Sequence, residues 1–270
     1  MSEPIKHHYV PQCYLKRFSS DNKVVVFFDK QIKEYGSQDI REFCQINNLY
    51  KLSQSEPYYI ETIFFAHDIE DKLGKILSFF DKLDFNMPHI NYDNHQRFNL
   101  SKQIFIQYIR TPKYRDSKSK NELNAFYSKI TQLLKIHFNF EVDEIEFKPD
   151  NIAEYHKNVL LEDNTDIIAN ISGAYWELIY SPERKFFTSD NPITIMPRND
   201  MPVTYCDAIN YFSDIYYPLN PKLVLHIKAQ EAPSSKVVDI RPANNKDVTE
   251  INNLISQKAT QYIIKSNEYK

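Results

Sequence analysis

Glycine is scarce in this chain, with only Gly36, Gly74 and Gly173 among 270 residues. Phosphate-binding loops of the Walker and dinucleotide-binding types need several closely spaced glycines, because their backbone must approach the phosphate groups. The three glycines here are far apart in sequence. The sequence therefore excludes both of these nucleotide-binding loops.

Cysteine is equally rare, and Cys13, Cys44 and Cys206 are odd in number and widely separated. This spacing argues against a disulfide framework and against a cysteine-rich zinc site. No apolar run approaches the roughly 20 residues that cross a bilayer, and charged residues near the start replace the apolar core of a signal peptide. We therefore expect a cytoplasmic protein with no membrane partner.

Strong charge of either sign is also absent, since 33 basic and 36 acidic residues give a formal charge of −3. No global field attracts this chain to nucleic acid, so any such contact must come from a local patch. What the chain has in abundance is aromatic surface, with 19 tyrosines and 18 phenylalanines. Tyrosine combines a large apolar ring with a polar tip, so we expect an aromatic core and half-exposed clefts.

The hydrophobic period changes twice along the chain and predicts an α+β fold. Residues 1–55 and 173–270 alternate with a period of two and predict short strands, with a last helix capped at Asn244 or Asn245. Residues 56–172 have a helical period and predict about four helices packed on one side of a mainly antiparallel sheet. Strand candidates include 24–28, 48–52, 175–180, 193–196, 223–227, 237–240 and 261–264, and helices are expected from 57, 93, 123 and 149.

The first predicted helix carries two carboxylates. Glu61 and Glu70 are nine residues apart, which is about two and a half turns of a straight α-helix. They are therefore expected on opposite edges of the buried stripe, with plain packing or ion-pair roles. By the same count His67 points to solvent. The second helix is expected to begin at Asp93 or Asn94 and to stop before Pro112, with Arg110 in its last turn.

The segment with the densest chemistry is Lys6-His7-His8-Tyr9-Val10-Pro11-Gln12, followed by Arg17. Adjacent residues of an extended segment face opposite ways, so one histidine can enter a given pocket. Histidine is a general base near neutral pH, and the pair is similar to the one that opens His-Asn-His nucleases. That motif needs a further histidine on the next helix, and His67 is too distant. A structural histidine that pins this segment to the core is the alternative.

Two further segments carry candidate chemistry. In Thr188-Ser189-Asp190-Asn191-Pro192 the carboxylate is a candidate metal ligand or base, whereas the alternative is a side-chain-capped turn. Arg110, Lys113 and Arg115 form a basic patch that could hold a phosphate, and a solvated helix end explains it equally well.

Together these motifs resemble a bacterial family known as domain of unknown function 4238, and the resemblance covers nearly the whole chain. The residues that carry it are His7-His8-Tyr9-Val10-Pro11-Gln12, Tyr14-Leu15, Phe18, Asn48-Leu49-Tyr50, Ile60-Glu61, Glu70, Arg110-Thr111-Pro112, Trp176, Phe187 to Pro192, and Pro218-Leu219-Asn220-Pro221. Cys13 departs from the family pattern, which more often has an aromatic residue there.

The resemblance implies one domain over 1–270, in which N- and C-terminal strands share a sheet. It also makes His8, Arg110 and Asp190 a candidate constellation: a base, an anion clamp and a carboxylate that holds a metal or water. We expect an intracellular hydrolase of phosphodiesters or nucleotides, in phage defence or a toxin-like role. In this hypothesis the candidate cofactor is a divalent metal held by His7 and Asp190, and the substrate-binding residues are His7, Gln12, Arg17, Ser189 and Asn191.

The alternative is a non-enzymatic module that binds a protein or small ligand and uses the same motif residues structurally. It predicts that His8 and Asp190 lie apart, each satisfied by nearby backbone groups. A third hypothesis is a binder of single strands, because aromatic residues interleaved with lysines can stack bases.

Overall fold

A computed structural model of the protein describes residues 5–52, 56–116, 135–136, 149–183, 185–197, 213–231 and 236–266. Strands and helices alternate in blocks within these ranges, which confirms the α+β class. The helix expected from residue 123 lies outside the described residues, apart from two helical positions at 135 and 136. No helix among the described residues is both long and apolar enough to cross a membrane.

The strands are short and fall mainly in the two terminal parts of the chain. They are β1 (Lys6–His8), β2 (Val24–Asp29), β3 (Glu34–Asp39), β4 (Gln45–Asn47), β5 (His89–Asn91), β6 (Ala174–Tyr180), β7 (Thr188–Ser189), β8 (Thr194–Pro197), β9 (Ser213–Asn220), β10 (Leu223–Glu231), β11 (Val237–Pro242) and β12 (Tyr262–Lys265).

The helices occupy mainly the middle of the chain. They are α1 (Gln12–Leu15), a π-helix (Ile60–Glu70), α2 (Asp71–Phe80), α3 (Asn94–Ile109), α4 (Pro112–Tyr114), α5 (Pro149–Leu161), α6 (Thr165–Gly173) and α7 (Asn245–Lys258), with single 3₁₀ turns at Lys16–Phe18 and Ile40–Glu42.

The described strands form three sheets. The four-stranded sheet has the order β3-β2-β12-β7, so N- and C-terminal strands do share a sheet, as expected. The six-stranded sheet has the order β5-β11-β6-β10-β9-β8 and is antiparallel except where β11 runs parallel to β6. Among the described strands, β1 pairs with β4 alone. The strand expected at 48–52 is wrong, because the chain turns at 48–50.

The first predicted helix is present, but its first eleven residues, Ile60–Glu70, wind as a π-helix before α2 continues it. In a π-helix each N–H bonds the carbonyl five residues back. Nine residues therefore make about two whole turns instead of about two and a half. The expectation that Glu61 and Glu70 lie on opposite edges is thus wrong, because it assumed α-helical winding. His67 points to solvent as expected, beside Asp71 at 3.7 Å.

Helix α3 runs through the core and carries the site's arginine at its end. Asp93 caps it through a capping box with Gln96, which fixes its first residue as the sequence predicted. Nine of its side chains are buried, so the helix is enclosed by neighbouring elements. Its last turn meets the N-terminal segment, where Gln107 Nε2 donates to the carbonyl of Tyr9 at 3.0 Å.

Candidate functional site

His7 is a core residue. It is fully buried, its Nδ1 accepts the backbone N–H of Tyr50 at 2.9 Å, and its ring stacks on that of Tyr50 at 5.7 Å. The proposed contact of His7 with a substrate has no basis in this arrangement, because no part of the residue reaches solvent. His7 therefore fits the alternative of a structural histidine that pins the N-terminal segment to the core.

His8 faces the other way, as expected for neighbours in a strand, and is partly exposed. Its Nε2 lies 3.1 Å from the carbonyl oxygen of Arg41. A carbonyl can only accept, so Nε2 carries the proton and Nδ1 keeps a lone pair in the neutral ring. Burial lowers the pKa of His8, even though Glu70 opposes the shift. The imidazole is thus neutral at physiological pH and able to act as a base.

Arg110 contacts the main chain of this histidine and is completely buried. Its Nη2 donates to the main-chain carbonyl of His8 and to Glu70 Oε1, the second at 3.1 Å. The guanidinium carbon sits 3.9 Å from the ring centre of Phe65, and the Arg110 carbonyl accepts the hydroxyl of Tyr50 at 2.5 Å. With no exposed surface, this guanidinium holds neighbouring groups in place and has no access to a phosphate in solution.

Two carboxylates of the π-helix act on the same guanidinium. Glu70 is paired with Arg110 and about a quarter exposed, and the charge of Glu61 also reaches Arg110. Glu61 accepts the backbone N–H of His8. Burial raises the pKa of Glu61 to about 7, with Glu70 adding to the shift and Arg110 opposing it. Glu61 therefore exchanges its proton near neutral pH, unlike an ordinary glutamate.

Several buried polar atoms in this cluster have no hydrogen-bond partner among the residues that the structure describes. They are Oε2 of Glu61 and the Nε and Nη1 atoms of Arg110. Buried polar groups are nearly always satisfied by protein, water or a ligand. A cluster of three such atoms beside a neutral histidine indicates a place where water or a bound group completes the arrangement. We call His8, Glu61, Glu70 and Arg110 the glutamate–histidine centre.

The Glu70 side chain of the centre is partly exposed. That residue lines a surface depression together with Cys13, Gly74 and Lys75. Burial raises the pKa of the Cys13 thiol to about 11, so the cysteine is protonated there and is a poor nucleophile.

Asp190 is not held against the centre by any contact with His8 or Arg110. Its two carboxylate oxygens accept the backbone N–H groups of Thr260, at 2.9 Å, and Gln261, at 2.7 Å. These bonds fix the turn that leads into β12. Burial nevertheless raises the pKa of Asp190. The three predicted residues thus do not form one constellation. Arg110 contacts His8, whereas Asp190 is a structural carboxylate bonded to the backbone at 260–261.

The remaining candidate substrate-binding residues have internal partners or no assigned contact. Ser189 is fully buried and its hydroxyl donates to the carbonyl of Asn191, whose own N–H returns a bond at 3.1 Å. Arg17 bonds the carbonyl of Cys13 and pairs with Asp81 at 3.3 Å, so it ties α1 to α2. Gln12, the first residue of α1, is partly exposed. The side-chain-capped turn, rather than a substrate contact, therefore describes Ser189 and Asn191.

The described residues show no group of three or more histidine, cysteine, aspartate or glutamate side chains arranged for a metal ion. His7 and Asp190, the predicted ligands, are each bonded to a different backbone segment, at Tyr50 and at 260–261. The structure thus offers no support for a shared metal at this pair.

Glu61 and Glu70 are the functional candidates that reasoning from helix geometry missed. The signal was available, since Ile60-Glu61 and Glu70 are among the residues on which the family resemblance rests. Counting 3.6 residues per turn places the two side chains on opposite edges of the helix, whereas the π-helix brings both to Arg110.

The comparisons with known proteins agree with the resemblance. The chain matches the family model described as "Protein of unknown function (DUF4238)" over residues 6–269. No curated protein and no solved structure gives a significant match. The chain therefore belongs to the DUF4238 family, whose description assigns no activity.

Proposed function

We propose that the protein is a hydrolase whose acid–base groups are Glu61 and His8, and that phosphodiesters or nucleotides are its substrates. The observation that carries the proposal is a carboxyl with a raised pKa and a histidine with a lowered pKa, which belong to residues arranged around one buried guanidinium. Pairs of titratable groups whose pKa values are pushed in opposite directions are typical of acid–base sites. Here the pKa of a carboxyl is raised and that of a histidine is lowered.

The chemistry follows from the protonation states. Nδ1 of His8 takes a proton from a water molecule as its oxygen attacks phosphorus, and the bond from phosphorus to the leaving oxygen breaks. The protonated carboxyl of Glu61 gives its proton to that oxygen. Arg110 acts as a positioning residue, because it holds Glu70 and the carbonyl of His8 without touching substrate. General acid–base groups of this kind contribute about 10²- to 10⁴-fold to rate.

The test is a hydrolysis assay with phosphodiester and nucleotide substrates. Glu61→Gln and His8→Asn should each lower kcat by about 10²-fold or more. Glu34→Gln and His89→Asn are the matched controls, because both side chains are exposed and both residues lie in strands outside the π-helix that carries Glu61 and Glu70. Glu70→Gln should move the Glu61 limb of the pH profile to lower pH, because Glu70 helps to raise that pKa. Full activity in folded Glu61→Gln and His8→Asn proteins would refute the proposal.

A second candidate is the non-enzymatic binding module. It is supported by Asp190, Ser189 and His7, all of which are buried and bonded to nearby main-chain groups. This candidate predicts no turnover of any substrate in the panel by the wild-type protein. The catalytic proposal predicts turnover that Glu61→Gln removes.

The biological setting also stays a proposal. A phosphodiesterase in phage defence or in a toxin-like role acts on cellular or phage nucleic acid in the cytoplasm. Expression in bacteria should then slow growth or restrict phage with the wild-type gene and not with Glu61→Gln. Equal effects of both genes would contradict this setting.

A further inference from the structure

We infer that the substrate is single-stranded nucleic acid, held in a furrow along α2 that leads to the glutamate–histidine centre. The cleavage step in this inference rests on the proposed function, whereas the binding step is argued from a separate surface. Two adjoining depressions form the furrow, and they share Lys75 and Phe79 as a common wall. One depression includes Glu70 and Lys82, and the other extends towards α3.

The first feature of the furrow is positive charge without internal partners. Lys72, Lys75 and Lys82 are exposed, and no hydrogen bond or ion pair engages their ammonium groups within the described residues. Lys72 and Lys75 are three residues apart on α2 and therefore lie on one face. Asp71 is the opposing carboxylate, since Glu70 is paired with Arg110. Three lysines against one such carboxylate favour a phosphate backbone.

The second feature is an aromatic ring placed among these lysines. Phe79 follows Lys75 by four residues on the same face of α2 and is 39 % exposed, which is unusual for phenylalanine. Its ring contacts those of Phe80 at 5.3 Å and Tyr92 at 5.6 Å. These contacts fix the ring and leave part of it in solvent. A fixed, exposed ring between lysines is the arrangement on which bases of a single strand stack.

The third feature lies at the α3 end of the furrow. Gln96 and Asn99 line the second depression. Gln96 Oε1 accepts the N–H of Asp93, and Asn99 Nδ2 lies 3.3 Å from the ring of His95, which leaves the amide group of Gln96 as a donor and the side-chain oxygen of Asn99 as an acceptor. Base edges in a duplex are paired with each other, whereas those of a single strand are free to meet such groups. The combination of a stacking ring and amides therefore favours single strands over duplex.

The fourth feature is continuity with the acid–base centre. Glu70 contributes to the same depression as Lys75 and Phe79 and is bonded to Arg110. A strand with one base on Phe79 and its phosphates near Lys75 and Lys82 would thus pass the carboxylate of Glu70, the residue of the centre that lines this depression. The furrow supplies binding and the centre supplies chemistry.

The test measures binding of fluorescently labelled 12-nucleotide single strands, DNA and RNA, and of a matched duplex, by anisotropy. Glu61→Gln protein is used throughout, so that turnover does not remove the probe. Phe79→Leu should weaken single-strand binding about tenfold, and Phe79→Trp should retain it, because only the tryptophan keeps a stacking face. Lys75→Ala should lower the dependence of log affinity on log salt by about 0.7.

Lys33→Ala is the charge-matched control, because this exposed lysine lies in the β2–β3 turn. It should leave affinity and salt dependence nearly unchanged. The inference is overturned if single strands do not bind, if duplex binds as well as single strands, or if the Phe79 and Lys75 variants match the Lys33 control. Binding that follows the furrow in a protein without hydrolytic activity would instead support the inference and refute the proposed hydrolysis. Cleavage of single strands that is unchanged by Phe79→Leu and Lys75→Ala would instead support the proposed hydrolysis and refute the furrow.

Discussion

Arg110→Met provides the sharpest test of how the glutamate–histidine centre is held together. The change removes a fully buried guanidinium, its bond to the His8 carbonyl and its 3.1 Å pair with Glu70, and replaces the stem with an apolar chain of similar length. The contact with the ring of Phe65 is kept in part, because methionine also packs well on aromatic rings. The loss should therefore report mainly on the polar bonds.

The expected loss in the free energy of unfolding is about 3 kcal/mol, at the lower end of the range for breaking a buried ion pair. The lower end applies because the Glu70 side chain is 27 % exposed, so water can solvate it after the arginine is lost. Glu61 adds little to the cost, since its pKa of about 7 lets it become neutral.

Urea unfolding at pH 7, followed by circular dichroism, measures this loss. Arg41→Met is the matched control: its pair with Asp39 is shorter, at 2.7 Å, but Arg41 is 76 % exposed. An exposed pair contributes little, so no measurable change is expected. The double variant Glu70→Gln/Arg110→Met should lose less than the sum of the single variants, because no carboxylate at position 70 is left unpaired.

The reasoning is refuted if Arg110→Met and Arg41→Met change stability equally. It is also refuted if the two changes at Arg110 and Glu70 are simply additive. Either result would mean that burial does not strengthen this pair.

Three further predictions concern other parts of the fold. Burial opposes the charged form of His226, but Asp214 at 3.1 Å and Glu177 outweigh it and raise its pKa. The resulting stabilisation is present below the ordinary histidine pKa and is lost as pH rises through the raised value. Urea unfolding should therefore show wild type to be more stable than His226→Gln at low pH, and this difference should disappear as the pH is raised. Asp190→Asn should lower the free energy of unfolding by about 1–3 kcal/mol, because one of two buried N–H groups then faces an amide donor, while hydrolysis per folded molecule stays unchanged. Gly36→Ala should destabilise by about 1–3 kcal/mol and lower the melting temperature, because a Cβ there would lie 2.8 Å from the Phe27 ring.

Local sequence signals predicted most helices and strands correctly. The capping boxes at Asp93 and Asn244 fixed the starts of α3 and α7, because a cap depends on residues within one turn of each other. The strands at 24–29, 174–180 and 223–231 follow from runs of β-branched and aromatic residues. Helix α6 was not recognised as a separate element, because its short pattern continues that of α5.

The candidate site was predicted only in part. His8 and Arg110 come together as expected, since the end of α3 packs on the N-terminal segment. Asp190 was expected to join them because it is chemically suitable, but its partners are the backbone N–H groups of residues 260 and 261. Sequence shows that a carboxylate is present, whereas its hydrogen-bond partners depend on which distant segment packs against it.

The sequence alone determined the α+β class, the scarcity of glycine that excludes phosphate loops, the caps of α3 and α7, and the family. Only the tertiary structure decided that the described strands form three sheets and that Glu61 and Glu70 both act on Arg110. Periodicity reports which residues face a core, but it does not distinguish α from π winding when both bury Phe65 and Ile69. The relative positions of Glu61 and Glu70 depend on that winding and on the packing of α3, which are properties of the folded chain as a whole.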